Sequence, residues 1–312
     1  MPTPEAAQFT TEDQWFESHG ERCAARIFRP TAAGSENRPA IVMGHGFGTP
    51  RALGLYRYAE AFAAAGYIVV VFDYRYFGES TGQPRQLLDI RKQIEDWRLA
   101  LAFTRSLDGV DATRIIGWGT SFAGGHVLSL AGARKNPESF AALIAQVPHI
   151  SGPAAVRAVG LRSCLRVAPV AAADLFQSIR GAKPRYINSV GHPGELGVMT
   201  TPDAVPGKDA MVEASGLTPG EYPETVAARV LAWIGFYSPG ARTKHISCPS
   251  LVQVMDQDAV TPTIVAVKAA LKIPNSTVRI HHGGHFDPYV EPTFDEILSE
   301  QLEFLQRTVP VV

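Results

Sequence analysis

From residue 39 onward, short apolar runs alternate with longer stretches whose apolar positions recur every three or four residues. The runs are PAIVMGH from Pro39, YIVVVFDY from Tyr67, RIIGWG from Arg114, FAALIAQV from Phe140, PSLVQVMD from Pro249 and STVRIHH from Ser276. Short apolar runs that alternate with helical patterns in this way predict the strands of a parallel sheet covered on both faces. Between them, DIRKQIEDWRLALAFTRSL sets Ile90, Ile94, Trp97, Leu101 and Leu107 on one side and charged residues on the other, which predicts a helix laid on a sheet. ERCAARIFRP before residue 30 predicts an antiparallel strand, and FDEILSEQLEFLQRTV a closing helix. The expected fold class is α/β, a doubly wound and mostly parallel sheet.

One segment breaks the alternation. From His149 to His245, Pro and Gly interrupt short amphipathic pieces such as AAVRAVGLRSCLRVA and ETVAARVLAWIGFYS. A structureless loop of that length does not suit a compact domain, so the expectation is a mostly helical cap over residues 149–245, inserted after the sixth strand. Residues 1–148 and 246–312 then form the core. The first part of the cap carries Arg157, Arg162, Arg166, Arg180, Lys183 and Arg185 against Asp174 alone. A solvated helix face and an anion-attracting entrance both fit that imbalance.

Composition narrows the function. The 312 residues hold 29 Lys plus Arg and 30 Asp plus Glu, a formal charge of −1, so binding driven by counterion release from nucleic acid is excluded. With 46% hydrophobic and 19% charged residues the chain suits a globular protein. A chain this long buries about 75% of its unfolded surface, so its core needs no disulfide or metal. Cys23, Cys164 and Cys248 are an odd number without metal-type spacing, which favours a reducing compartment. The opening MPTPEAAQFTTEDQWFESHGER has neither a basic start nor an apolar stretch, and no segment reaches a membrane-spanning length. The expectation is a cytoplasmic protein with neither a nucleic acid nor a membrane as partner.

Three motifs carry chemistry. In GWGTSFAGGH, Gly117 to His126, a strand ends in Gly119-Thr120-Ser121-Phe122-Ala123 and a helix begins. Small residues two before and two after Ser121 let the backbone turn sharply and expose the hydroxyl as a nucleophile. The other reading is a serine capping a helix. In Gly44-His45-Gly46-Phe47-Gly48 the glycines bring backbone close to a substrate, and Phe47 and Phe122 are the candidate amide donors to an oxyanion. An ordinary glycine turn with a buried His45 is the alternative.

The third motif is split between two strand ends, Met255 to Pro262 and His281 to Pro288. A hydroxyl needs a neutral imidazole to take its proton, and the imidazole needs a carboxylate to orient it. The chain order Ser121, Asp258, His285 supplies all three. Asp256 is the competing acid, and either aspartate could cap the following helix. His285 is preferred to His281 and His282, which alternate in strand period. Asp73, Arg75, Glu79, Ser80 and Asp96 read as structural ties and His126 as a satisfied helix histidine. His149 leaves a strand at the same edge, and Cys164 and Tyr186 are candidates for pocket lining. No metal site and no cofactor is expected, because no His, Asp or Glu cluster keeps metal spacing.

These residues resemble the α/β-hydrolase superfamily from about Pro39 to the C-terminus, with the cap as an insertion. HGFG, FDYRYFGESTGQPR from Phe72 to Arg85, GTSFAGGH and QVPHISG from Gln146 to Gly152 look like the branch containing dienelactone-hydrolase-like and Xaa-Pro-peptidase-like proteins, and are also similar to fungal polyketide-transferase-type acyltransferases. Ala123 stands where many members have Gly. The resemblance implies the fold and acyl-enzyme chemistry.

The first expectation is therefore a serine hydrolase cleaving carboxylic esters through an acyl-enzyme on Ser121. The alternative is an acyltransferase or thioesterase using the same three residues; a peptidase or a non-catalytic binding protein ranks below both. The expected partner is a small-molecule ester or thioester, with a homodimer among the oligomeric states left open. Leu161, Leu175, Trp233 and Phe236 in the cap are the expected acyl-binding wall.

Overall fold

A computed structural model describes residues 8–31 and 37–311. The first seven residues of the N-terminal segment read as untargeted lie outside the described residues. Strands β1 (Phe9–Ser18) and β2 (Glu21–Pro30) form an antiparallel hairpin, and β3 (Arg38–Gly44), β4 (Ile68–Phe72), β5 (Val110–Thr120) and β6 (Ala142–Gln146) follow. After a long insertion come β10 (Ser250–Met255) and β11 (Ser276–His281). The eight strands lie in the order β1-β2-β4-β3-β5-β6-β10-β11, and every pair from β4 to β11 is parallel.

Helices α1 (Tyr56–Ala64), α2 (Ile90–Arg105), α3 (Phe122–Ala131), α8 (Thr263–Ala270) and α9 (Thr293–Thr308) connect and cover the strands. The sheet's period of two divides each apolar run between two cores. Ile68, Val70 and Phe72 of β4 pack with Trp97 and Leu101 of α2, while Val69 and Val71 pack with Tyr58 and Phe62 of α1. Both faces being covered explains why these runs are apolar without alternation. Asp89 starts α2 by accepting from the Arg91 and Lys92 amides.

Buried ion pairs fix the loops beside this sheet. Arg51 bonds Asp73 at 2.9 Å and Glu79 at 2.6 Å, and Arg75 bonds Asp96 at 2.6 Å, where Ser18 also donates to the carboxylate. Asp73, Arg75, Glu79 and Asp96 thus tie β4 to its neighbours.

The segment between β6 and β10 contains α4 (Gly152–Val159), α5 (Leu161–Ile179), α6 (Ala204–Ala214) and the short α7 (Leu231–Ile234). It also holds a small second sheet of β7 (Tyr186–Val190), β8 (Gly197–Met199) and β9 (Thr225–Ala227) in the order β8-β7-β9. Strands of three to five residues are too short to print a period on the sequence, so helical pieces alone are visible there. Buried Asp174 of α5 accepts from the Arg185 and Arg229 amides and from the Arg229 guanidinium at 2.8 Å, and so joins the helix to this sheet's surroundings.

Because the strands from β4 to β11 run in one direction, their C-terminal ends share an edge. The loops after β3, β5, β6, β10 and β11 meet there.

Candidate active site

Ser121 follows β5 directly and precedes α3, with φ 53° and ψ −114°. A side chain rarely adopts this conformation, and neighbouring contacts hold it. The Ser121 amide donates to the Gln146 carbonyl at 2.8 Å, and its carbonyl accepts from the His149 amide at 2.8 Å. Packing dictates the small residues around it. A Cβ on Gly124 would lie 2.9 Å from Pro148, and one on Gly125 2.5 Å from the His149 carbonyl oxygen.

The hydroxyl of Ser121 lies 3.0 Å from His285 Nε2, and His285 Nδ1 lies 2.7 Å from Asp258 Oδ2. A carboxylate can only accept, so Nδ1 carries the proton and Nε2 is left to accept from the serine. All three residues are buried. Burial works to raise the Asp258 carboxyl, but the neighbouring His285 ring and the Thr261 amide and hydroxyl outweigh it and hold the group below its ordinary range. Asp258 also accepts from the Val260 amide at 2.8 Å. The same side chain therefore orients the imidazole and closes the turn that leads into α8.

Asp256 stands apart, at the surface, accepting from the Gly283 amide and facing exposed His282. His281 turns to Glu300 at 3.1 Å. Of the three nearby histidines, His285 alone is placed against Ser121.

The loop after β3 wraps the other side of the serine. Gly46 comes so close that a Cβ on it would lie 3.3 Å from Ser121 Cβ. His45 is fully buried, with its ring edge-on to Tyr74, so it belongs to the loop's support. The Phe47 and Phe122 rings meet edge to face at 5.6 Å. Phe122 opens α3, where its amide has no partner within the helix.

Behind Phe122 lies a buried polar group centred on His126, the helix histidine expected to be satisfied. His126 Nε2 bonds Gln93 Oε1 at 2.9 Å, and Nδ1 bonds the Tyr237 hydroxyl at 2.7 Å. A neutral imidazole satisfies both by donating to the amide oxygen and accepting from the phenol. Burial first, then the nearby His149 and His45, push its pKa down to about 3. His149 is pushed down to about 4, by burial first.

Two cavities meet at Ser121. The larger, about 430 Å³, is lined by Phe47, Phe122, His149, Val156, Cys164, Val167, Leu175, Met199, Leu231 and Ile234 among others. The smaller, about 40 Å³, is lined by Leu53, Ser189, Lys208, Met211, Tyr222, Glu224 and His285 with residues of the β3 loop. Of the four side chains expected to form an acyl wall, Leu175 lines the larger cavity. Leu161 stands a turn ahead of Cys164, where the lining begins along α5, and is 74% exposed. Trp233 and Phe236 line a separate cavity with Leu87 to Arg91, because α7 turns Leu231, Ala232 and Ile234 toward Ser121 and Trp233 away from it, and Phe236 lies beyond the helix end. Tyr186 is exposed and bonds the Arg85 carbonyl. Cys164, named from the sequence as a lining candidate, does line the larger cavity; the α5 residues that sequence reasoning missed are Val167, Ala168, Ala171 and Ala172, and their helical spacing between Cys164 and Leu175 is the signal that marks them. Among the described residues, no group of three or more His, Cys, Asp or Glu is placed to hold a metal ion.

The family described as X-Pro dipeptidyl-peptidase (S15 family) matches residues 19–186. The quorum-quenching protein AidA of Acinetobacter baumannii (strain MDR-ZJ06) is 41% identical over 299 residues, spanning 96% of this chain and 95% of that one. Polyketide transferase claH of Penicillium crustosum is 26% identical over 320 residues, 99% of each chain. Among solved structures, the alpha/beta hydrolase GrgF from Penicillium sp. sh18 superposes with a TM-score of 0.77 at 23% identity, covering 96% of this chain and 99% of that one. DcsB, solved in complex with its substrate analogue, superposes at 0.78 with 21% identity, covering 96% and 100%. These likenesses and the strand order agree on the α/β-hydrolase fold, and the chain belongs to the X-Pro dipeptidyl-peptidase (S15) family within the α/β-hydrolase superfamily.

Proposed function

We propose that this chain is a serine hydrolase of carboxylic esters, with Ser121, His285 and Asp258 as its catalytic residues. The observation that carries the reading is the relay of 3.0 Å and 2.7 Å contacts from Ser121 through His285 to Asp258 at the floor of an apolar cavity. His285 Nε2 takes the hydroxyl proton as Ser121 Oγ attacks the acyl carbon. The Phe47 and Phe122 amides receive the oxyanion. Collapse of the tetrahedral intermediate breaks the ester bond, and His285 returns the proton to the departing alkoxide. Water then repeats the sequence on the acyl-enzyme and releases the acid.

The acyl chain occupies the larger cavity and the leaving group the smaller one. Residues 149–245 act as a cap on a core of 1–148 and 246–312, since α4, α5 and α7 supply most of the larger cavity's wall. A peptidase finds less support. Glu224, the acidic residue lining the smaller cavity, is paired with Lys208 at 3.0 Å, leaving no free carboxylate there for a substrate amine.

A second reading, acyl transfer or thioester cleavage, uses the same acyl-enzyme and is favoured by the full-length likeness to a polyketide transferase and the partial one to thiohydrolase aneE. The likeness to a quorum-quenching protein makes quorum signals a class to assay. The test is turnover of aryl esters of graded chain length beside acyl thioesters, with and without an added alcohol. Ester hydrolysis that Ser121→Ala lowers by about a million-fold supports the proposal. Preferential formation of the transferred ester selects the second reading. If Ser121→Ala retains a few per cent of activity, or a fluorophosphonate fails to label the wild type, the nucleophile assignment falls.

A further inference from the structure

The outer face of α5 is apolar where a solvated helix should be polar. Leu161, Leu165, Phe176 and Ile179 are 74%, 64%, 53% and 80% exposed. At about 100° per residue they fall, with Ala168 and Ala172 between them, in a stripe about 80° wide. Scattered exposed apolar side chains need no explanation, but a continuous stripe along a 19-residue helix marks a surface that meets something.

Charge says what that something is. Arg162 and Arg166 lie beside the stripe on one flank, and Arg180 follows at the helix end with its guanidinium 4.0 Å from the Phe176 ring. The one acid of α5, Asp174, is buried and paired with Arg229, so it neutralises none of them. Two copies meeting antiparallel through this face, about a two-fold axis perpendicular to the helix, would bring the two arginine rows together, which opposes that form of self-association. An apolar stripe with a basic flank is instead the pattern of a helix lying in the plane of an anionic membrane surface. Among the described residues no helix is long and apolar enough to cross a membrane, and docking of this kind needs none.

The cavity supplies a second, independent observation. Ala168 and Ala172 belong both to the stripe and to the lining of the 430 Å³ cavity, together with Val156 of α4. The cavity wall and the apolar face therefore share these two residues.

We propose that the exposed face of α5 docks on an anionic lipid surface, with the mouth of the larger cavity turned toward the bilayer. An apolar substrate dissolved in the lipid then enters without crossing water. This entry route rests on the ester-hydrolase reading, whereas the docking does not.

The test is co-flotation of the full chain with vesicles of phosphatidylcholine alone or with roughly a third phosphatidylglycerol. Binding to the anionic vesicles is expected, weakened by salt and at least about tenfold weaker on the neutral ones. Leu165→Asp or Ile179→Asp should abolish it, and Arg162→Gln and Arg166→Gln should weaken it roughly fivefold each. All four variants should hydrolyse a short water-soluble aryl ester at the wild-type rate, which shows that they fold and keeps failed docking apart from failed chemistry. Absence of binding to anionic vesicles overturns the proposal. So does binding that survives the aspartate substitutions, which is adsorption by charge alone. A solution dimer that the same aspartates disperse assigns the face to a second copy and also overturns it.

Discussion

Gly119 and Ala123 touch across the turn that presents Ser121: a Cβ on Gly119 would lie 2.3 Å from the Ala123 carbonyl oxygen. The obstacle is backbone, which cannot swing aside as a side chain can. Gly119→Ala is expected to cost about 2 to 3 kcal/mol in urea denaturation and to remove activity with it. Ala123→Gly restores the commoner residue and should cost only about 1 kcal/mol, the helix-propensity difference, with activity retained. Similar losses at both positions would show that the turn is not held by this contact.

Asp258 and Asp256 are two residues apart and differ in their partners. Asp258→Asn should reduce kcat about ten-thousand-fold, because an amide at that position can leave His285 in the wrong tautomer. Asp256→Asn breaks an exposed contact with His282 and Gly283 and should leave kcat within a few-fold. Steady-state rates on one aryl ester decide between them, and equal losses would reassign the acid.

Substrate length should be read by the residues that line the larger cavity. Leu175→Ala, Leu231→Ala and Ile234→Ala each add space at its wall and should move the optimum acyl length upward, by about 1 to 3 kcal/mol of discrimination for each methylene accommodated. Trp233→Ala and Phe236→Ala lie on the other side of α7 and should leave the ratio of long to short esters unchanged. A shift produced by the second pair and not the first would relocate the acyl site.

Acid should destabilise the protein through two histidines that contact no catalytic proton. His126 and His149 are neutral in the fold, pushed down to about 3 and about 4, against an ordinary value of 6.5. Below pH ~6.5 the unfolded chain takes up protons that the folded chain refuses, so stability falls as the pH is lowered from there toward 4. Each histidine contributes up to about 1.4 kcal/mol per pH unit in that window. Denaturation midpoints between pH 8 and 4.5 test this. His126→Asn lowers stability throughout but should flatten the slope, and an unaltered slope would refute the assignment.

Much of this molecule can be read from its sequence because its chemistry sits where buried strands end. The runs ending near Gly44, Thr120 and Met255 are apolar with both faces covered, and the proposed Ser121 and Asp258 follow two of those ends within a few residues, while the proposed His285 follows the half-exposed strand that ends at His281. What stays unread is what buries little or uses small side chains. β1 is an edge strand that buries Phe16 and Ser18 alone, so its polar majority hides it. Along α5 the cavity wall is Cys164, Val167, Leu175 and three alanines, whereas Leu161, Trp233 and Phe236, bulky residues that look like a wall, are exposed. Size of side chain is a guide to cores, where space must be filled, and a poor guide to cavities, where it must be kept.

The two cavities differ about tenfold in volume and join at Ser121. If, as proposed, an acyl group bonded to that oxygen fills the larger one, the smaller is the space left beside it for the next reactant. A chamber of about 40 Å³ has room for a few waters. On that reading the fate of the acyl group is a matter of queueing, decided by what can wait beside Leu53, Met211 and Tyr222. Enlarging this antechamber, with the triad untouched, is the shortest route by which a hydrolase of this shape becomes a transferase.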